Sequence, residues 1–395
     1  MSRSNENVIQ FRRPQRGRTA NETAVRPVHK KGKIDWPLFI VLGILLVFGL
    51  IMIYSASAYT ARVEFNNPTK FLVDHARNIA VGIVVMIIVT VVPLKFWRKI
   101  AVVIWIAAMG SVLMVLSPLG IEVYGARRWL NLKVATIQPA ELVKFGLILF
   151  NAVLIVYFYK QLDNIVSYIM VLAAGVVSAV FIILITDDLG SGIIIFAITF
   201  ISLIITCPYL RYSLGTLAVG ILGTIGFIAM KPYRMNRVRA WMDIEKYAGN
   251  IGYQVMQALY AIGSGGFFGK GLGKSTQKLG FVPENENDMI FSIICEELGI
   301  IGGIALVALF GYLIYRMALI YRRTNDRFGK IVVLGVLTHI AVQTIINLAV
   351  VTNLMPNTGV PLPFISYGGT SVIILMAEIG LAQAVSRNPG VEYAE

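Results

Sequence analysis

The chain has little of what a soluble enzyme of its size carries. Charged residues make up 14% of its 395 positions, against about 25% in soluble domains. That is too little polar surface to clothe helices in water, and it excludes an ordinary soluble two-domain enzyme. The only two cysteines, Cys207 and Cys295, fall on separate predicted segments and exclude a disulfide framework. Three histidines, His29, His75 and His339, lack metal-ligand spacing. They read as interfacial or buried polar groups. The N-terminus does not read as a cleavable leader, because polar sequence runs too far before the first apolar stretch.

What is present is apolar. Hydrophobic residues make up 57% of the chain, in long runs between Trp36 and Ala384. The expected fold is therefore all-α: a polytopic membrane protein of about ten transmembrane helices. The runs predict spans over 36–58, 78–94, 99–117, 138–159, 165–186, 190–206, 213–230, 289–315, 331–352 and 368–386. The short 190–206 run, preceded by Asp187-Asp188-Leu189, is the weakest as a separate helix. An even number of spans puts both termini on one side. Lys95, Arg98, Lys99, Arg211, Arg316, Arg322, Arg323, Arg327 and Lys330 all fall on that same side, which makes it cytoplasmic.

The net charge of +14 follows this topology and is not the footprint of a nucleic-acid binder. Residues 1–34 are rich in Arg, Lys, Asn, Gln and Pro, and read as a disordered basic cytoplasmic tail able to rest on anionic lipid. Residues 35–387 form the transmembrane domain, and 388–395 a short cytoplasmic tail. The outer side then holds three loops, 118–137, 231–288 and 353–367. Loops of that length in a helical bundle point to function.

Acidic residues are the scarce charge, and three of them crowd into Val282-Pro283-Glu284-Asn285-Glu286-Asn287-Asp288, at the outer edge of the eighth span. Carboxylates at a membrane boundary must stay hydrated or find partners. Crowding and partial burial raise a carboxylate pKa toward the range of a general base. Asp288 is equally placed to be a helix N-cap. Upstream, Gly263 to Ser275 interleaves glycines with Lys270 and Lys274, yet fails as a Walker A loop because Phe268 stands where Gly is required. It reads either as a flexible surface or re-entrant loop, or as a backbone cradle for an anionic headgroup.

Gln138-Pro139-Ala140-Glu141 opens the fourth span. Glu141 and Lys144 share a helix face, either as a packing pair or as an intramembrane functional pair. Glu296 and Glu297, two turns inside the eighth span, and Glu378 must face the bundle interior. Arg234, Arg237 and Arg239 read as headgroup snorkels or phosphate ligands.

These segments, in this order, resemble the SEDS family (shape, elongation, division and sporulation) of FtsW/SpoVE/RodA type, and look most like its FtsW branch. The resemblance runs from Ile51 to Ser386. It is carried by Gly125-Ala126-Arg127-Arg128-Trp129, Gln138-Pro139-Ala140-Glu141, Asp188-Leu189-Gly190-Ser191-Gly192, Pro232-Tyr233-Arg234, Gln254 with Gln257, Gly269-Lys270-Gly271-Leu272-Gly273, Val282-Pro283-Glu284, Asn287-Asp288, Glu296-Glu297-Leu298-Gly299 and Pro361-Leu362-Pro363-Phe364-Ile365-Ser366-Tyr367-Gly368-Gly369. The chain departs from the family pattern at Asn287, Met289, Ala140 and Asp187, without losing the carboxylate.

The resemblance implies a glycosyltransferase that polymerises lipid II into glycan strands outside the cytoplasmic membrane, releasing undecaprenyl diphosphate, with a septal role in division. It puts the essential acid on Asp288 and the loop tryptophan on Trp129. Arg128, Glu141, Lys144, Arg234, Arg237, Lys270, Lys274, Glu284 and Ser366 are the accompanying substrate-binding candidates. The implied partners are lipid II, the growing strand, membrane lipid, a class B penicillin-binding transpeptidase and other divisome membrane proteins. No metal site is read from the sequence, and the choice of Mg²⁺, Mn²⁺ or no cation stays open. Other readings are a lipid II transporter, a scaffold for the transpeptidase, or an elongation or sporulation paralogue with the same chemistry.

Overall fold

The computed structural model describes residues 27–29, 32–123, 126–132, 136–207 and 209–393. Most of the basic tail, and Gly125 of the hairpin motif, lie outside these residues. Ten helices among the described residues are long and apolar enough to cross a membrane. They are α1 (Trp36–Phe65), α2 (Lys70–Val91), α3 (Leu94–Met114), α4 (Pro139–Phe158), α5 (Ile165–Thr186), α6 (Leu189–Thr206), α7 (Leu210–Ala229), α10 (Ile290–Arg323), α11 (Arg327–Val351) and α12 (Gly369–Arg387). The weakest predicted span is thus a helix of its own. Asp187 turns the chain after α5 with a left-handed φ of 55°, and Asp188 caps α6 by accepting from the Ser191 amide at 2.9 Å.

The ends of the bundle are tied by polar side chains. Asp35 caps α1 by accepting from the Leu38 amide at 3.0 Å. It also pairs with Arg316 of α10 at 2.7 Å, and its carbonyl accepts from Gln383 of α12 at 2.8 Å. On the same side, strand β1 (Pro27–His29) pairs antiparallel with strand β5 (Val391–Tyr393).

The loops 118–137 and 231–288 are more structured than runs of polar residues suggest. Loop 118–137 carries a three-stranded antiparallel sheet of β2 (Gly120–Val123), β3 (Ala126–Asn131) and β4 (Thr136–Ile137), in that spatial order. The long 231–288 loop holds two short helices, α8 (Pro232–Met242) and α9 (Tyr253–Gly265).

Helix α10 breaks at Gly299, where φ is 71° and ψ −175°. The part beyond the break is long enough to cross a hydrocarbon core of about 30 Å without the rest. Residues 290–297 before it are buried in protein. Glu296 and Glu297 sit about two turns inside α10, as the sequence suggested, in the buried segment before the break. The break is filled by the Gly-rich loop. Lys270 and Gly271 amides donate to the freed Glu296 and Glu297 carbonyls, both at 2.9 Å, and the Ile300 amide donates to Gly266 at 2.9 Å. A Cβ on Gly299 would overlap the Phe267 carbonyl oxygen, and one on Gly269 the Glu297 carbonyl oxygen. Only glycine permits this approach.

Candidate active site at the outer face

The turn before α10 places Asp288 outside the candidate spans, where it is 8% exposed. Met289 occupies the N-cap position of α10 and makes no side-chain cap, so the cap reading of Asp288 does not hold. Its carboxylate turns instead toward α9. Gln254 Nε2 donates to Asp288 Oδ1 at 3.1 Å and to the Pro283 carbonyl at 3.2 Å. Asn357 Nδ2 donates to Gln254 Oε1 at 2.8 Å, which fixes the orientation of the Gln254 amide. Arg237 of α8 donates to the Asn357 carbonyl at 2.9 Å and lies over the Tyr233 ring at 4.7 Å.

Burial pushes the Asp288 pKa up to about 7, and the negative charge of Glu284 adds to it. The residue's own backbone amide, the Arg237 charge and the Gln254 hydrogen bond act the other way. Glu286 is also raised to about 7, by burial and by Glu284 and Glu64, against its own amide. Its main chain leads away from Asp288, with the Tyr367 amide donating to the Glu286 carbonyl at 2.8 Å. Glu284, at φ 54°, accepts from Asn287 Nδ2 and sits close enough to both carboxylates to raise them.

The other candidates fall into separate places. Ser366 is buried behind the turn. Its hydroxyl donates to the Asn287 carbonyl at 2.6 Å and accepts from the Leu362 amide at 2.8 Å, so it braces the loop. Arg234 and Lys231 both pair with Asp187. Burial raises the Asp187 pKa, and the hydrogen bonds and charges of these two cations outweigh that and hold it below the usual carboxylate value. Arg128 of β3 donates to the Thr186 and Asp187 carbonyls at 3.3 and 2.8 Å, and Trp129 is half-buried beside it.

Lys270 pairs with Glu296 at 2.6 Å. The Thr276 and Gln277 amides also donate to Glu296, and those of Gly273 and Ser275 to Glu297. These donors of the Gly/Lys loop are thus spent on α10. The loop is a clasp on the broken helix, and the cradle reading loses those amides. Lys274 remains exposed to the outside.

Glu141 and Lys144 pair at 2.6 Å inside the bundle, 2% and 1% exposed. Lys144 also donates to Gln343 Oε1 at 3.1 Å, and His339 bridges Gln343 at 2.9 Å and Glu378 at 2.7 Å. These intramembrane charges close on one another rather than lining an open path. Lys144→Met is expected to lower stability by about 3–5 kcal/mol, because it leaves a buried carboxylate without its cation. The thermal midpoint of the detergent-solubilised variant reports this, and an unchanged midpoint refutes it.

Sequence reasoning carried Gln254 only as part of the family pattern, without a place in the site, and missed Asn357 and Asn347. The signal for the last was a polar stripe, His339, Gln343 and Asn347, at four-residue spacing in an otherwise apolar span. Among the described residues, no group of three or more His, Cys, Asp or Glu side chains is placed to hold a metal ion.

Comparison with known proteins gives the family and the fold. The family model for FtsW, RodA and SpoVE, described as "Cell cycle protein", matches residues 35–389. "Stage V sporulation protein E" of Bacillus subtilis is 34% identical over 362 residues, covering 91% of this chain and 98% of that one. "Probable peptidoglycan glycosyltransferase FtsW" of Saccharophagus degradans is 35% identical over 359 residues, covering 90% and 92%. Among solved structures, a chain from work described as "Structural coordination of polymerization and crosslinking by a peptidoglycan synthase complex" superposes with a TM-score of 0.75 at 23% identity, covering 90% and 98%. The rod shape determining protein RodA of Thermus thermophilus gives 0.64 at 22%, covering 90% and 97%. At these identities the structural matches speak for the fold.

Proposed function

The chain belongs to the FtsW, RodA and SpoVE family of cell cycle proteins, and from that premise we propose that it is a membrane-embedded peptidoglycan glycosyltransferase. It joins lipid II units into glycan strands at the outer face of the cytoplasmic membrane. The observation that carries this reading is the buried Asp288 carboxylate outside the spans, held by Gln254 and raised to about 7. A group poised near neutral pH is what a general base requires.

In the proposed reaction the growing strand, linked to undecaprenyl diphosphate, is the donor. The 4-hydroxyl of the GlcNAc of an incoming lipid II attacks its C1. As the new C1–O bond forms, Asp288 takes the hydroxyl proton. The C1–O bond to phosphate breaks, and undecaprenyl diphosphate leaves with the electron pair. Positive charge must meet that leaving group. Arg237, beside the carboxylate, and the exposed Lys274 are the cations left for this, since Lys270 and Arg234 are tied to Glu296 and Asp187.

Resemblance to the FtsW branch supports a septal role, with both termini cytoplasmic. The fold shared with a member of a peptidoglycan synthase complex supports a class B transpeptidase partner. The deciding experiment gives fluorescent lipid II to the purified full-length protein, with and without such a transpeptidase. Ladders of glycan strands are expected. A folded protein that moves lipid II across vesicles but makes no strands in either condition overturns the enzyme reading in favour of transport. Septal rings of a fluorescent fusion support the division role, and lateral patches refute it.

A further inference from the structure

We propose that Asn347 is a positioning residue for Asp288, pinning the carboxylate-bearing turn and the facing 353–367 loop to one point on α11. The proposal rests on the general-base reading of Asp288. Asn347 is 1% exposed. Its Nδ2 donates to the Asp288 carbonyl at 2.7 Å and to the Val360 carbonyl at 2.9 Å. Both neighbours are acceptors, so the NH₂ end must face them, and its two hydrogens serve one carbonyl each. Asn347 Oδ1 is buried and finds no hydrogen-bond partner among the described residues. The amide is held there by its NH₂ alone.

These two carbonyls belong to opposite walls around the reacting group. Val360 follows Gly359, which has a φ of 71°, and a Cβ on Gly359 would stand 4.0 Å from Asp288 Oδ2. Fixing the backbone at 288 and 360 therefore sets the spacing between the carboxylate and the loop that faces it. One helical turn away, Gln343 repeats the device. Its Nε2 donates to the Pro361 carbonyl at 3.1 Å, and the Lys144 ammonium holds Oε1 from the other side at 3.1 Å. A buried cation thus decides which end of the Gln343 amide meets the loop. α11 is buried along most of its length, and that makes it a rigid mount for a base carried on an irregular turn.

The test uses the full-length protein in nanodiscs, with Asn347→Leu, which keeps the branched shape and removes both donors, and Asn347→Ser. A loss of alignment of this kind lowers the rate of the bound complex by on the order of 10²-fold. The expected result for both variants is that fall in kcat, a KM for lipid II within about two-fold of wild type, and faster hydrogen exchange over residues 284–289. Wild-type kcat, a rise in KM alone, or a fall in kcat without faster exchange each overturns the proposal. If neither variant folds, the wild-type protein decides. Exchange over 284–289 as slow as in α11 supports the anchorage, and exchange as fast as in the exposed 243–251 segment refutes it. Asp288→Asn separates the two readings. If that variant stays active, the base assignment fails while the exchange result still stands.

Discussion

Asp288→Asn is expected to slow glycan polymerisation by about 10²–10⁴-fold, the range lost when a general base is removed. The amide oxygen can still accept from Gln254 and the side chain keeps its volume, so the turn and the substrate KM should change little. The pH profile gives the sharper signature. A base works deprotonated, and burial with Glu284 nearby places the Asp288 pKa at about 7. Wild-type kcat/KM should therefore rise with pH up to about 7 and level off above it, whereas the residual activity of the variant should be flat across that window.

Neighbouring charges then predict opposite displacements of the profile. Glu284→Gln removes a charge that raises the pKa, and moves the rise to lower pH. Arg237→Ala removes one that lowers it, and moves the rise to higher pH. An Asp288→Asn enzyme that polymerises lipid II at the wild-type rate sinks the assignment, as does a wild-type profile without a break near neutrality.

The spans were legible because each buries a run of about twenty apolar residues, a pattern that needs no tertiary information. Even the doubtful 190–206 run was decided locally, by Asp188 as the cap of α6. The clasp was not legible. Gly269, Lys270 and Gly271 look the same in sequence whether their amides face a phosphate or the carbonyls of a broken helix, and those carbonyls lie more than twenty residues downstream. Gly299 was visible only as one glycine in an apolar helix. Asp288 stayed balanced between cap and base because the choice depends on whether α10 starts at Ile290 or one residue earlier, and boundaries are the weakest part of any sequence reading. Asn357 escaped because polar loop residues are ordinary, and Gln254 stood in the family pattern without a role in the site. Only the fold brings α9 and the 353–367 loop against the same carboxylate.

The clasp carries an expected effect on stability as large as that of the Glu141–Lys144 pair. Glu297 is fully buried. Its carboxylate accepts from Lys278 Nζ at 2.7 Å, from the Ser55 hydroxyl of α1 at 2.7 and 2.8 Å, and from the Gly273 and Ser275 amides at 2.9 and 3.3 Å. Glu297→Ala leaves the buried Lys278 ammonium with Ser55 alone, and strands two backbone donors. A cost of about 3–5 kcal/mol is expected, as for other buried pairs broken on one side. It should appear as a lower thermal midpoint in detergent and as new protease cleavage between residues 266 and 282.

The double change Glu297→Leu with Lys278→Met should restore much of the midpoint, because the charge left unpaired by the single change is removed with its partner. The exposed amides would still be unsatisfied, so restoration should be partial. Because the clasp runs directly into Val282 and the Asp288 turn, polymerisation should fall with Glu297→Ala even at temperatures where the bundle is intact. A Glu297→Ala protein with a wild-type midpoint and an uncleaved loop would show that Lys278 and the loop amides hold the break without their carboxylate.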